Sequence, residues 1–148
     1  MRDADPVLRI LCADDDRDTA DSLVVLLEIA GLEAHSYYDG RSVLAAAERM
    51  SPDVLILDLT MPGLNGDEVG RRVREQEWGR SIVLVALTGL PGEEARQRTA
   101  EAGFDLHLTK PVDPGELALI VMDLVILSGP LTPAPARRAP RGDASPGE

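Results

Sequence analysis

Short unbroken apolar runs alternate along this chain with longer segments whose apolar residues recur every three or four positions. Short runs bounded by turn residues are the pattern of buried strands, and the helical recurrence marks helices with one buried stripe. Strands are predicted over 8–13, 34–37, 53–57, 82–87 and 104–108. Between the first two, Asp18 or Thr19 caps a helix in which Leu23, Leu26, Leu27 and Ala30 share a face until Gly31 stops it. Asp39-Gly40 turns into a second helix ending near Met50, and Gly66 opens a third to about Glu75. A fourth covers 91–102 and stops at Gly103, and Asp113 caps a fifth to about Leu127.

Five strands alternating with five helices need a crossover at every step, and right-handed crossovers lay helices on both faces of a parallel sheet. The predicted fold is therefore doubly wound α/β, over residues 7–127, after an N-terminal extension, 1–6. From 128 to 148, Gly129, Pro130, Pro133, Pro135, Pro140 and Pro146 stand among Ala, Arg and Ser. That composition buries too little apolar surface to offset chain entropy, so a disordered tail is predicted.

Composition adds limits. At 148 residues, 44% hydrophobic and 28% charged, the chain has the balance of one globular domain. It has neither a signal-peptide core nor a segment apolar enough to span a bilayer, so the expectation is a cytoplasmic protein with no membrane partner. The single cysteine, Cys12, cannot form an intramolecular disulfide and reads as a small buried hydrophobe. The formal net charge is -11; residues 128–148 carry +1 from Arg137, Arg138 and Arg141 against Asp143 and Glu148, leaving -12 on the rest. So acidic a body repels phosphate backbones, and direct nucleic-acid binding is not expected.

The chemistry stands at strand ends. Asp14 and Asp15 follow the first strand, Asp58 the third and Thr88 the fourth, and Lys110 lies just past the fifth. In a doubly wound sheet the first and third strands are neighbours at the switch point, so Asp14, Asp15 and Asp58 are expected to converge. Three clustered carboxylates repel unless a hard divalent cation sits among them, and oxygen ligands with room for water suit Mg²⁺, with Mn²⁺ as a substitute.

Four segments carry a resemblance: Ile10-Leu11-Cys12-Ala13-Asp14-Asp15, Leu57-Asp58-Leu59-Thr60-Met61-Pro62, Ala86-Leu87-Thr88-Gly89 and Thr109-Lys110-Pro111. In this order and spacing, on alternating elements, they resemble the receiver domain of bacterial two-component response regulators, over roughly residues 7–127. The resemblance implies a flavodoxin-like five-stranded sheet of order 2-1-3-4-5. It implies a phosphoryl group passed to Asp58 from a histidine kinase or phosphotransfer protein, and a downstream protein target. Asp15 and Asp58 would coordinate the metal with the backbone carbonyl of Thr60, Asp14 would act mainly through bound water, and the bond before Pro111 would be cis.

Lys110 and Thr88 are the implied donors to the phosphoryl group. A transferring phosphoryl spreads negative charge over its outer oxygens, which metal, cation and hydroxyl or backbone donors must neutralise. Lys110 is the only lysine, against fourteen arginines, a compact ammonium at that one place. The domain would assist its own phosphorylation and dephosphorylation, with no separate small-molecule turnover.

Two rival classes are a haloacid-dehalogenase-type phosphatase and a pseudo-receiver that binds without phosphorylation. The first begins with Asp-x-Asp, whereas Asp58-Leu59-Thr60 puts threonine at the second carboxylate. The second is expected where Asp58, Asp15 or Lys110 is missing, and all three are present.

The chain departs from the family at His107, where an aromatic switch residue is usual. An imidazole fills the space of a small ring yet titrates at about pH 6.5, and His107 reads either as that switch or as a surface histidine at a strand end. His35 reads as structural. The last helix also stands out: between 114 and 128 only Glu116 and Asp123 are charged. Without a polar stripe the helix should be covered on all sides, and Leu119, Met122 and Ile126 are expected to meet a second subunit, a partner domain or the chain's own tail, the homodimer being the preferred version.

Overall fold

A computed structural model describes residues 8–89 and 92–128, with helical side chains through Leu124. Its elements run β1 (Arg9–Ala13), α1 (Arg17–Ile29), β2 (Glu33–Tyr37), α2 (Gly40–Met50), β3 (Val54–Asp58), α3 (Gly66–Glu75), β4 (Val83–Thr88), α4 (Glu93–Ala102), β5 (Leu106–Thr109) and α5 (Pro114–Ser128). A single 3-10 turn, Glu77–Gly79, links α3 to β4. The strands form one parallel sheet in the order β2-β1-β3-β4-β5, the flavodoxin-like arrangement expected from the sequence.

Two layers of core follow from the period-two alternation of strand side chains. Ile10, Cys12, Val54, Ile56, Val85 and Leu87 face α1 and α5, meeting Leu23, Leu27, Leu117 and Val121. Their sequence neighbours Leu11, Ala13, Leu55, Leu57 and Leu84 face the other way, onto Val43, Ala46, Val69 and Val73 of α2 and α3. Because both faces of β3 are covered, all five of its residues are buried. That is why it reads as an unbroken apolar run rather than an alternating one.

Side-chain caps fix the starts of α1, α2 and α5. Asp16 caps α1, accepting from the backbone N–H groups of Asp18 and Thr19; it is one of the aspartates the sequence offers for that cap, ahead of Asp18 and Thr19. Asp18 instead occupies the first turn, where its charge complements the helix dipole. Asp39 caps α2 through Ser42, and Asp113 caps α5 through Glu116. β5 begins at Leu106, later than expected, because Phe104 turns into the α2–α3 core, its ring packed on Gly70. α4 begins at Glu93 behind Gly92, which has φ +92°.

α5 is not covered all round. Leu117, Ala118 and Val121 are buried, but Leu119 is 64% exposed and Met122 is half-buried. The side chain of Ile126 lies outside the described residues, as does the 1–6 extension; of the 128–148 segment read as disordered, Ser128 instead ends α5 and the rest lies outside the described residues. Among the described residues, no helix is long and apolar enough to cross a membrane.

Candidate functional site

A parallel sheet brings every strand's C-terminal end to one edge, and the polar residues expected there arrive by specific backbone contacts. The Asp14 N–H donates to the Tyr37 carbonyl at 3.1 Å, prolonging the β1–β2 ladder. Asp58 is the last residue of β3 itself, and Thr88 the last of β4. The Lys110 N–H donates to the Thr88 carbonyl at 2.7 Å, which carries the β4–β5 pairing one residue past the strand. The bond from Lys110 to Pro111 is cis, as the resemblance implied. At Gly66 a Cβ would collide with the Asp58 carbonyl oxygen, so glycine lets α3 start against the backbone of the site.

These placements assemble one cluster. Lys110 Nζ donates to Asp14 Oδ2 at 2.8 Å and lies 3.5 Å from Asp58 Oδ2. Asp14 Oδ1 accepts from the Asp16 N–H at 2.9 Å, and Asp58 Oδ1 from the Thr60 N–H at 3.3 Å. Asp14 and Asp58 are 2% and 5% exposed, whereas Asp15 and Thr60 are open to solvent. One oxygen from each of Asp14, Asp15 and Asp58 lies within 4.8 Å of the others. Beside the cluster a cavity of about 420 Å³ opens between Asp16, Thr19 and Leu23 of α1 and Lys110, Val112 and Leu117.

The electrostatics follow from crowding. Burial, then the charge of Asp14, pushes the Asp58 carboxyl up to about 6 against the opposing pull of Lys110. Burial disfavours the Lys110 ammonium, but its bond to Asp14 and the charge of Asp58 outweigh that, and its pKa is raised. Two buried carboxylates share one ammonium, a third lies beside them, the donors are all oxygen, and one of them faces water. That donor set fits a hard divalent ion which keeps part of its hydration.

His107 sits apart from this cluster. It pairs in register with Ala86 of β4, and both its ring nitrogens are buried without a hydrogen-bond partner. Burial and the nearby Arg96 hold its pKa below the ordinary 6.5. A half-buried ring with hidden nitrogens does not fit the plain surface histidine that the sequence left open. His35, by contrast, is paired to Glu33 at 2.8 Å, a structural role. Cys12 is 1% exposed in the core, where burial pushes its thiol up and keeps it unreactive.

Two contributors escaped sequence reasoning. Asp16 positions Asp14 through its backbone N–H, and its only sequence trace is the run Asp14-Asp15-Asp16. Arg98 of α4 grips both oxygens of Asp67 of α3, at 3.2 and 2.9 Å, tying together two helices that flank the site. A pairing across 31 residues leaves no local pattern.

Known proteins share this arrangement. The family model of the response regulator receiver domain matches residues 10–122. An uncharacterized 14.6 kDa protein in the sodA1 3' region of Leptolyngbya boryana is 39% identical, over 82% of this chain and 92% of that protein. The DNA-binding dual master transcriptional regulator RpaA of Synechocystis sp. is 32% identical over 87% of this chain, which spans 60% of that protein's length. The chemotaxis response regulator CheY4 of Vibrio cholerae superposes with a TM-score of 0.74 at 30% identity, over 81% of this chain and 99% of that one. The receiver domain of the sensor histidine kinase PA1611 of Pseudomonas aeruginosa, solved with a magnesium ion coordinated in its active site cleft, gives a TM-score of 0.72 at 28% identity, over 80% of this chain and 97% of that one. With its sheet order, its strand-end aspartates and a family match over most of its length, the chain belongs to the response regulator receiver domains of two-component systems.

Proposed function

We propose that Asp58 accepts a phosphoryl group from a histidine kinase or phosphotransfer protein, and that the phosphorylated chain signals by protein contact in the cytoplasm. The observation that carries this reading is a carboxylate at a strand end, 5% exposed, with an ammonium 3.5 Å away. In the transfer an Asp58 oxygen attacks phosphorus while the bond from phosphorus to the donor imidazole nitrogen breaks, the electron pair leaving with that nitrogen. Lys110 neutralises one phosphoryl oxygen, while the Thr88 hydroxyl and the Thr60 N–H donate to others.

Mg²⁺, or Mn²⁺ in its place, fits Asp14, Asp15, Asp58 and the Thr60 carbonyl, and when bound it supplies charge neutralisation for the phosphoryl oxygens. Both oxygens of Asp14 already accept hydrogen bonds, from Lys110 and Asp16, which supports a contribution through bound water. Asp15 is exposed and supports direct ligation. His107 lies on the same face of the sheet as Thr88, one alternation away on the neighbouring strand, which supports a relay toward α4. Exposed Leu119 with half-buried Met122 supports a homodimer through α5, to which Ile126 adds by helical spacing.

Intact mass after incubation with Mg²⁺ and acetyl phosphate tests the proposal. One added phosphoryl group, absent from Asp58→Ala, is the expected result. No gain in the wild-type chain would point to a pseudo-receiver, and continuous phosphate release from many substrates to a phosphatase. Sedimentation that finds only monomer at high concentration would remove the homodimer.

A further inference from the structure

His107 is a half-buried titratable group, with both ring nitrogens hidden, whose ionisation the phosphoryl chemistry leaves unused. Period-two alternation sends Leu106 and Leu108 of β5 toward the α1–α5 layer and His107 to the opposite face. There its register neighbour is Ala86, with Thr88 one alternation further along β4. α4 lays Ala95, Thr99 and Ala102 inward as buried residues, and the Thr99 hydroxyl is occupied by the Arg96 carbonyl at 3.0 Å.

Among the described residues, no carboxylate answers the ring. The charged group whose field reaches it is Arg96, a cation. Glu93, Glu94 and Glu101 of α4 are exposed, Arg98 is held by Asp67, and Lys110 is held by Asp14 and Asp58. A neutral imidazole tolerates this setting at the cost of two unmade hydrogen bonds. An imidazolium has two N–H donors to satisfy and a like charge beside it.

We propose that His107 is a proton-sensitive latch: while neutral it lets α4 seat against β5, and its protonation favours an open arrangement in which the ring reaches water. The proposal needs no phosphoryl group and would stand if Asp58 proved not to be an acceptor. Linkage gives its size. If the closed form excludes the proton and the open form titrates at about 6.5, the open-to-closed ratio scales as 1 + 10^(6.5 − pH), rising about tenfold between pH 7.5 and pH 5.5. Neutral pH keeps the latch shut, and acid releases it.

The test uses the full chain without phosphodonor. Proton NMR titration follows His107, with His35 as the only other histidine, and amide exchange, corrected for intrinsic rates, follows α4 and α1 at the two pH values. The expected result is a His107 midpoint below 6.5, with the ratio of α4 to α1 opening increased about tenfold at pH 5.5, α1 carrying any change in global stability. His107→Phe is expected to abolish the pH dependence of that ratio. A midpoint at or above 6.5, an equal ratio at both pH values, or a His107→Phe chain whose ratio still rises in acid would each overturn the latch. If that variant does not fold, the wild-type titration and exchange decide alone.

Discussion

Lys110 reaches along the sheet edge to donate a 2.8 Å hydrogen bond to Asp14, 96 positions earlier in the chain. The sequence assigned this ammonium to a phosphoryl oxygen. Its resting partner is instead an aspartate, with Asp58 farther off at 3.5 Å. The lysine therefore has two tasks: it balances buried carboxylates at rest, and it is the nearest cation to any anion that settles on Asp58.

Removing that ammonium leaves Asp14 and Asp58 buried face to face. Lys110→Ala is expected to lose about 1–3 kcal/mol in chemical denaturation with chelator present. Added Mg²⁺ is expected to restore part of it, and phosphorylation by acetyl phosphate to slow about 100-fold. Unchanged stability in chelator would show that the lysine does not compensate the carboxylates.

Asp58 sets a pH dependence of definite sign. Its folded pKa, about 6, stands above the ordinary carboxylate value, so the folded state binds the proton more tightly. Without divalent cations this group stabilises the fold at low pH and loses that contribution as pH rises from about 4 through about 6. Asp58→Asn is expected to flatten the slope and, at pH 7 in chelator, to be more stable than wild type by about 2 kcal/mol. A denaturation series from pH 4 to 7.5 measures both effects.

Gly66 offers a steric probe of the same site. Gly66→Ala drives a methyl into the Asp58 carbonyl, with an expected cost of about 1–3 kcal/mol and slower phosphorylation as the strand end shifts. At Gly89, nothing lies within 4 Å of an added Cβ. Gly89→Ala is expected to change stability by no more than about 0.5 kcal/mol, which thermal melts can compare directly.

The Arg98–Asp67 pair is half-buried and doubly bonded, unlike the exposed Glu68 pairs on α3. A double-mutant cycle with Arg98→Met and Asp67→Asn is expected to give a coupling of about 1 kcal/mol that shrinks as salt is added. Amide exchange is expected to place the loss in α4.

The sheet was legible because its strands are apolar for reasons internal to each segment. Val54 to Leu57 can only be a strand covered on both faces, and the aspartates that break such runs must then sit at strand ends. What escaped was whatever depends on a distant partner. Arg74 donates to the carbonyls of Gly103, Gly79 and Ile82 and to Asp105, fastening the edge opposite the site, yet in sequence it is one arginine of fourteen. Which aspartate caps α1 stayed open between neighbours because adjacent aspartates are equivalent until geometry selects one, here Asp16. His107 could be flagged as unusual, but its unpartnered nitrogens depend on its tertiary surroundings, which begin with Ala86 of β4 beside it in register.

The strand order has a consequence for the timing of competence. Asp14 comes from the second strand in space and Lys110 from the last, while Asp58 stands between them. A chain whose first three strands have formed but whose β5 has not docked presents bare aspartates without their cation. Only the finished topology delivers the ammonium, so the charge of this edge is completed by the placement of β5.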